Sequence, residues 1–253
     1  MRILAVTQNT FRESVRDKVL YVLLFFAAVV ILGSRLMGWI SIGQDVKIVK
    51  DVCLAATSVF GMLIAIFVGT SLVYKEIDKR TLYTIISQPM HRYEFVLGKY
   101  LGLMALLAVV VGTMAAVSSL YVWVIGGELQ PVFFQAILLI YWKLLLVTAI
   151  AVLFSSVTSP ILGAIIVFTI YVFGHATGIL RDLPPQFDDH PMKPVLETIY
   201  YFLPNLANFD IAREAANGVA VSGAYIGYAL VYGVVYTALV LVLAAFAFEG
   251  KDV

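Results

Sequence analysis

A chain of 253 residues that is 62% hydrophobic and 13% charged, with a mean hydropathy of +0.96, carries more apolar side chain than a soluble globule of that size can hide. Lipid accepts such side chains on the outside of a helix bundle, so composition predicts an all-α integral membrane protein of one domain, 1–253. The net charge of +1 offers no excess that points to nucleic acid, and the lone Cys53 excludes an internal disulfide framework and a multi-cysteine metal site.

Residues 1–18 come first. Leu4, Phe11 and Val15 fall on one helical face, with Arg12, Glu13, Arg16 and Asp17 away from it. That pattern predicts an amphipathic helix in the cytoplasmic interface; a plain cytoplasmic extension of the first span is the other reading. The stretch resembles a signal-peptide n-region, but Glu13, Asp17 and the absence of an A-x-A pattern after the apolar run argue against cleavage.

Crossing a bilayer core of ~30 Å takes roughly 20 apolar residues, because each backbone polar group must be satisfied within its own helix. Six stretches meet or approach this: Val19 to Ile40, Val52 to Tyr74, Phe95 to Ile125, Val132 to Phe154, Ile161 to Leu180 and Ser222 to Phe248. Arg35 interrupts the first, and the fifth carries His175 and glycines. Six spans place both termini on one side. That side holds ten of the flanking Lys and Arg residues against six on the other, which predicts cytoplasmic termini.

Residues 75–92 form the predicted cytoplasmic segment between spans two and three. Leu82, Ile85 and Ile86 share a face of a short helix, and Pro89 ends it because the residue before a proline is pushed out of the helical region. A new helix starts near Arg92, with Glu94 in its first turn, where a negative charge suits the helix dipole. A short helix held between two spans offers a partner an apolar ridge and passes displacement into the membrane.

From Tyr74 to Gly102 the order of residues resembles the coupling region of the type-2 ABC exporter permeases, a family that includes the permease of the nitrous oxide reductase maturation transporter. Glu76, Thr81, Leu82, Pro89, Arg92, Glu94, Phe95, Leu97, Gly98, Lys99 and Gly102 fit that family's order. Arg80 stands where the family often has glycine, and His91 where it has a Ser or Thr cap. The resemblance implies a permease that dimerises, homodimerisation being the expectation, and pairs with two ATPase subunits. Glu76, Arg80, Thr81, Leu82, Ile85, Ile86, Pro89, Arg92 and Glu94 would then face the ATPase, which holds ATP and Mg. The chain itself has no G-x-x-x-x-G-K-[ST] loop and calls for no cofactor of its own.

Farther along, Lys143 is the one charged residue well inside a predicted span, twelve residues or ~18 Å from its Ser155 end. Such a residue either lines the translocation path or is structural. Gly98 with Gly102, Gly174 with Gly178, and Gly223 with Gly227 have the spacing that lets helices approach closely, within the subunit or across a dimer. His175 reads as a satisfied polar residue near the outer interface. Ser155, Ser156, Ser159 and Pro160 mark a tight cytoplasmic turn, across the membrane from His175, which argues against an intramembrane hydrolase. Residues 181–217 form an outer segment in which 195–203 and 208–217 read as short helices dipping into the outer leaflet, or as an ordered external loop. An ATP-driven exporter permease is the leading expectation; an ion-coupled secondary transporter is the alternative.

Overall fold

The computed structural model describes residues 2–38, 44–78, 92–177 and 203–249. Its elements are α1 (Arg2–Val15), α2 (Lys18–Gly38), α3 (Asp45–Asp78), α4 (Arg92–Val124), α5 (Pro131–Val157), α6 (Pro160–His175), a 3-10 turn (Leu206–Phe209), α7 (Ala212–Asn217) and α8 (Gly223–Glu249). Among the described residues no strand occurs.

Local chemistry sets these boundaries. Asp17 opens α2, its Oδ1 accepting from the Val19 N–H at 2.9 Å, a side-chain cap worth ~1 kcal/mol. Pro131 and Pro160 occupy the first positions of α5 and α6 after extended Gln130 and Ser159, where a missing N–H costs nothing. Gly126 at φ +79° closes α4, with the Gly127 N–H on Val122 O at 2.9 Å. Gly218 at φ +70° closes α7 in the same way, with the Val219 N–H on Glu214 O at 2.9 Å.

Five helices hold stretches long and apolar enough to cross a membrane: Lys18–Leu36, Asp45–Ser71, Tyr93–Val124, Pro131–Val157 and Gly223–Phe248. They answer to predicted spans one, two, three, four and six. The fifth prediction, Ile161 to Leu180, is found as the 16-residue α6, about 24 Å at 1.5 Å per residue and shorter than a ~30 Å core; residues 178–180 lie outside the described residues. Predicted span two begins seven residues too late, since α3 starts at Asp45 rather than Val52. Lys47, Lys50 and Asp51 argued against an apolar start, yet a helix continues past the hydrocarbon wherever its polar side chains find water or partners. Lys50 is buried within reach of the Glu128 charge.

The core centres on α5, which packs against α3, α4, α6 and α8, while α2 leans on α3. Close approach of α3 to α5 needs two glycines. A Cβ at Gly61 would lie 2.5 Å from a Leu144 methyl, and one at Gly69 2.9 Å from the Ala151 Cβ.

α1 lies along the base of α4 and is separated from α2 by the turn at Arg16 and Asp17. Val6 faces Gly98 and Thr10 faces Gly102, so the two helices run in step. The face packed on α4 is Val6, Thr10 and Ser14, beside the Leu4, Phe11 and Val15 stripe predicted for the membrane interface. Phe11 and Val15 are half-buried at its edge, and Leu4 is 72% exposed. Small and hydroxyl side chains win the contact because only they allow backbones so near.

The described part of the predicted outer segment, 203–217, is seated in the bundle. Leu206 and Phe209 are fully buried, Thr177 Oγ1 donates to Asn205 Oδ1 at 2.8 Å, and the Asn205 N–H donates to the Tyr232 hydroxyl at 2.8 Å. The predicted 208–217 helix is broken at Asp210, whose carboxylate accepts from the Ala212 N–H at 3.2 Å and so favours a new start. The predicted 195–203 helix lies outside the described residues except for Leu203.

Candidate functional site

Two arrangements draw together residues that the sequence singled out. The first is at the base of the bundle. Glu76 belongs to the last turns of α3, Arg92 is the first residue of α4, and Glu94 lies in its first turn. Arg80, Thr81, Leu82, Ile85, Ile86 and Pro89 lie outside the described residues. α3 and α4 have 34 and 33 residues, about 50 Å each at 1.5 Å rise, well beyond what a bilayer core requires. α3 carries Lys75, Glu76 and Asp78 past its apolar stretch, which the sequence continues to Tyr74. The segment joining Asp78 to Arg92 thus connects the ends of two long, continuous helices.

Lys99, counted in the sequence among the flanking basic residues, is only 1% exposed. Its ammonium lies 3.9 Å from Glu13 on α1 and 5.6 Å from the centroid of the Phe95 ring, and Phe95 stacks on Phe248 at 5.5 Å. These contacts join α1, the first turns of α4 and the end of α8. Displacing Arg92 along the α4 axis has to move all three.

The second arrangement lies mid-bundle. Lys143 is 2% exposed; its Nζ donates to Ser58 Oγ at 2.8 Å and to His175 Nε2 at 3.2 Å, and stands 5.7 Å from the Tyr171 ring centroid. The Tyr171 hydroxyl and Ser58 share a hydrogen bond of 3.2 Å. His175 Nδ1 lies 2.9 Å from Tyr171 O, which fixes a neutral ring with the proton on Nδ1 and Nε2 free to accept. α3, α5 and α6 are thereby tied through one ammonium. No carboxylate among the described residues lies within ion-pair distance of it; Asp210 acts on it only from farther off.

The sequence isolated Lys143 but put His175 elsewhere, and gave Ser58 and Tyr171 no role. A count of rise would have joined two of them. Lys143 is fourteen residues before Val157 and His175 fifteen after Pro160, so both stand ~21–23 Å above the same turn.

Long apolar helices around a polar mid-bundle cluster define an integral membrane protein. Residues 4–253 match the ABC-2 family transporter protein, and the chain belongs to that family. It is therefore a multi-pass membrane subunit of the ABC permease class. A search of curated proteins found none that matches.

Proposed function

We propose that the chain is the permease half of an ATP-driven exporter in a bacterial or archaeal cytoplasmic membrane. It works as a homodimer with two copies of a separate ATPase, which bind ATP and Mg. Residues 75–92 dock on the ATPase from the cytoplasm, with Leu82, Ile85 and Ile86 as the apolar ridge. The supporting observation is that this segment joins the ends of α3 and α4, of which α3 carries Ser58 into the mid-bundle cluster. Likeness to the permease of the nitrous oxide reductase maturation transporter rests on residues 74–102 and concerns the coupling segment, not the cargo.

The test starts from the neighbouring reading frame, which is expected to encode an ATPase with a Walker A loop, and continues with co-expression of the two chains. The wild type is expected to retain the ATPase through purification and to stimulate its hydrolysis. A triple change of Leu82, Ile85 and Ile86 to Glu abolishes both while leaving membrane insertion intact. Unchanged retention in the triple variant would remove the docking role.

A second reading has its own support in Lys143 and His175, two titratable groups in contact midway through the bundle. An ion-coupled secondary transporter would move cargo in liposomes under an ion gradient without any ATPase.

A further inference from the structure

A groove of about 360 Å³ runs between α3 and α6 below the mid-bundle cluster. Leu63, Ile66 and Phe67 wall it on one side, Ile161, Ile165 and Phe168 on the other. Ile161 is 77% and Ile165 58% exposed, so the groove opens sideways toward lipid. On α6, residues 161, 164, 168, 171 and 175 recur at helical spacing and share a face. The apolar wall therefore continues upward into Tyr171 and His175, and from Ile161 to Tyr171 it is about 15 Å long.

At its upper end the wall meets a full positive charge. The hydroxyls and ring around Lys143 are neutral, and the C-terminal end of α6 presents roughly half a negative charge. These, with the Asp210 charge acting from farther off, offset the ammonium only in part, and no described carboxylate contacts it. A cation held at this depth is completed by an anion brought to it.

We propose that cluster and groove together bind one single-chain anionic amphiphile, a long-chain carboxylate. Its carboxylate takes the Lys143 hydrogen bond now made to Ser58, and the Ser58 and Tyr171 hydroxyls add neutral donors. Its chain lies in the groove with the tail toward Pro160. One lysine balances one charge, which selects a monoanion. The groove's opening to lipid leaves the tail in hydrocarbon while the charged group is inside the bundle. As cargo, this ligand rests on the export reading; as a ligand, it does not.

The experiment uses the full chain in phosphatidylcholine nanodiscs, titrated with radiolabelled palmitate in a scintillation proximity assay, with hexadecanol and octanoate as competitors. Palmitate is expected to bind saturably, and hexadecanol and octanoate to compete at least tenfold more weakly, the first lacking the charge and the second the chain. Lys143→Met and Phe168→Trp, the latter filling the groove, each lower palmitate affinity at least tenfold. Equal competition by hexadecanol overturns the proposal, as does unchanged affinity in Lys143→Met. Should that variant not fold, the two competitors and Phe168→Trp decide the matter. Cross-linking of Ile161→Cys between copies, without palmitate binding, gives the groove to a second subunit and overturns the proposal too. Retention of the ATPase is scored on the same preparation. A retained ATPase without palmitate binding defeats this inference alone, and palmitate binding without an ATPase defeats the export reading alone.

Discussion

Lys143 shows how the sign of a mutation depends on which side of a contact is removed. At the centre of a spanning helix a lysine costs ~2.5–3.5 kcal/mol on insertion scales, and exchanging a buried charge for an apolar side chain of similar length is often neutral or stabilising. Lys143→Met is therefore expected to fold and to melt at or above the wild-type temperature. Ser58→Ala and His175→Ala leave the ammonium short of an acceptor it uses at 2.8 or 3.2 Å and each should cost ~1–3 kcal/mol. Thermal unfolding in one detergent compares the three, and a Lys143→Met variant that melts far below Ser58→Ala would contradict the account. Gly218 makes a second residue-scale case. Its φ of +70° disfavours any L side chain, and a Cβ there would run into the Gln130 amide, so Gly218→Ala should lose ~1–2 kcal/mol in the same assay. The lysine was legible in the sequence because a charge amid apolar residues declares itself. Its partners were not, since Ser58, Tyr171 and His175 look ordinary until three helices are set at one height.

Among the elements, α1 is held by the tightness of its seat on α4. A Cβ at Gly102 would stand 2.6 Å from Thr10 Cβ and 2.8 Å from Thr7 O, whereas one at Gly112 on the same helix meets nothing within 4 Å. Gly102→Ala should overpack the seat and cost ~1–3 kcal/mol, with faster amide exchange along residues 2–15. Gly112→Ala should be neutral or stabilising by up to ~1 kcal/mol, as expected for an open helical site. Equal effects at the two positions would mean that α1 is not seated where the contacts put it. The Gly98 and Gly102 spacing was visible in the sequence, but whether it served the subunit or a dimer was open; facing Val6 and Thr10, it serves the subunit. Gly223 and Gly227, with nothing near either, still face outward. Apolar length made five spans legible. It failed at the start of α3, where charges continue a helix, and at α6, which ends at His175 with Gly174 packed against Leu206.

At the scale of the whole molecule, contacts alone define two ends before any membrane is considered. Phe95 against Phe248 sets the start of α4 beside the end of α8, and α1 lies there too. Gln130 against Gly218 sets the start of α5 beside the end of α7 at the opposite end. The two-residue connection of Thr158 and Ser159 returns the chain to the first end, which also holds Asp78 and Arg92. Thr84 in the connecting segment and the exposed Asn217 at the end of α7 should therefore lie on opposite sides of the bilayer. Which side is which follows from the distribution of Lys and Arg, ten against six in favour of a cytoplasmic Thr84. Labelling with a membrane-impermeant maleimide is the check. Cys53 is fully buried and provides a silent background, so single Thr84→Cys and Asn217→Cys changes report alone. Asn217→Cys should react in intact cells and Thr84→Cys only once the membrane is opened. The reverse pattern would put the segment between α3 and α4 outside, where no ATP-driven subunit can grip it, and the coupling mechanism would fall while the helical architecture stood.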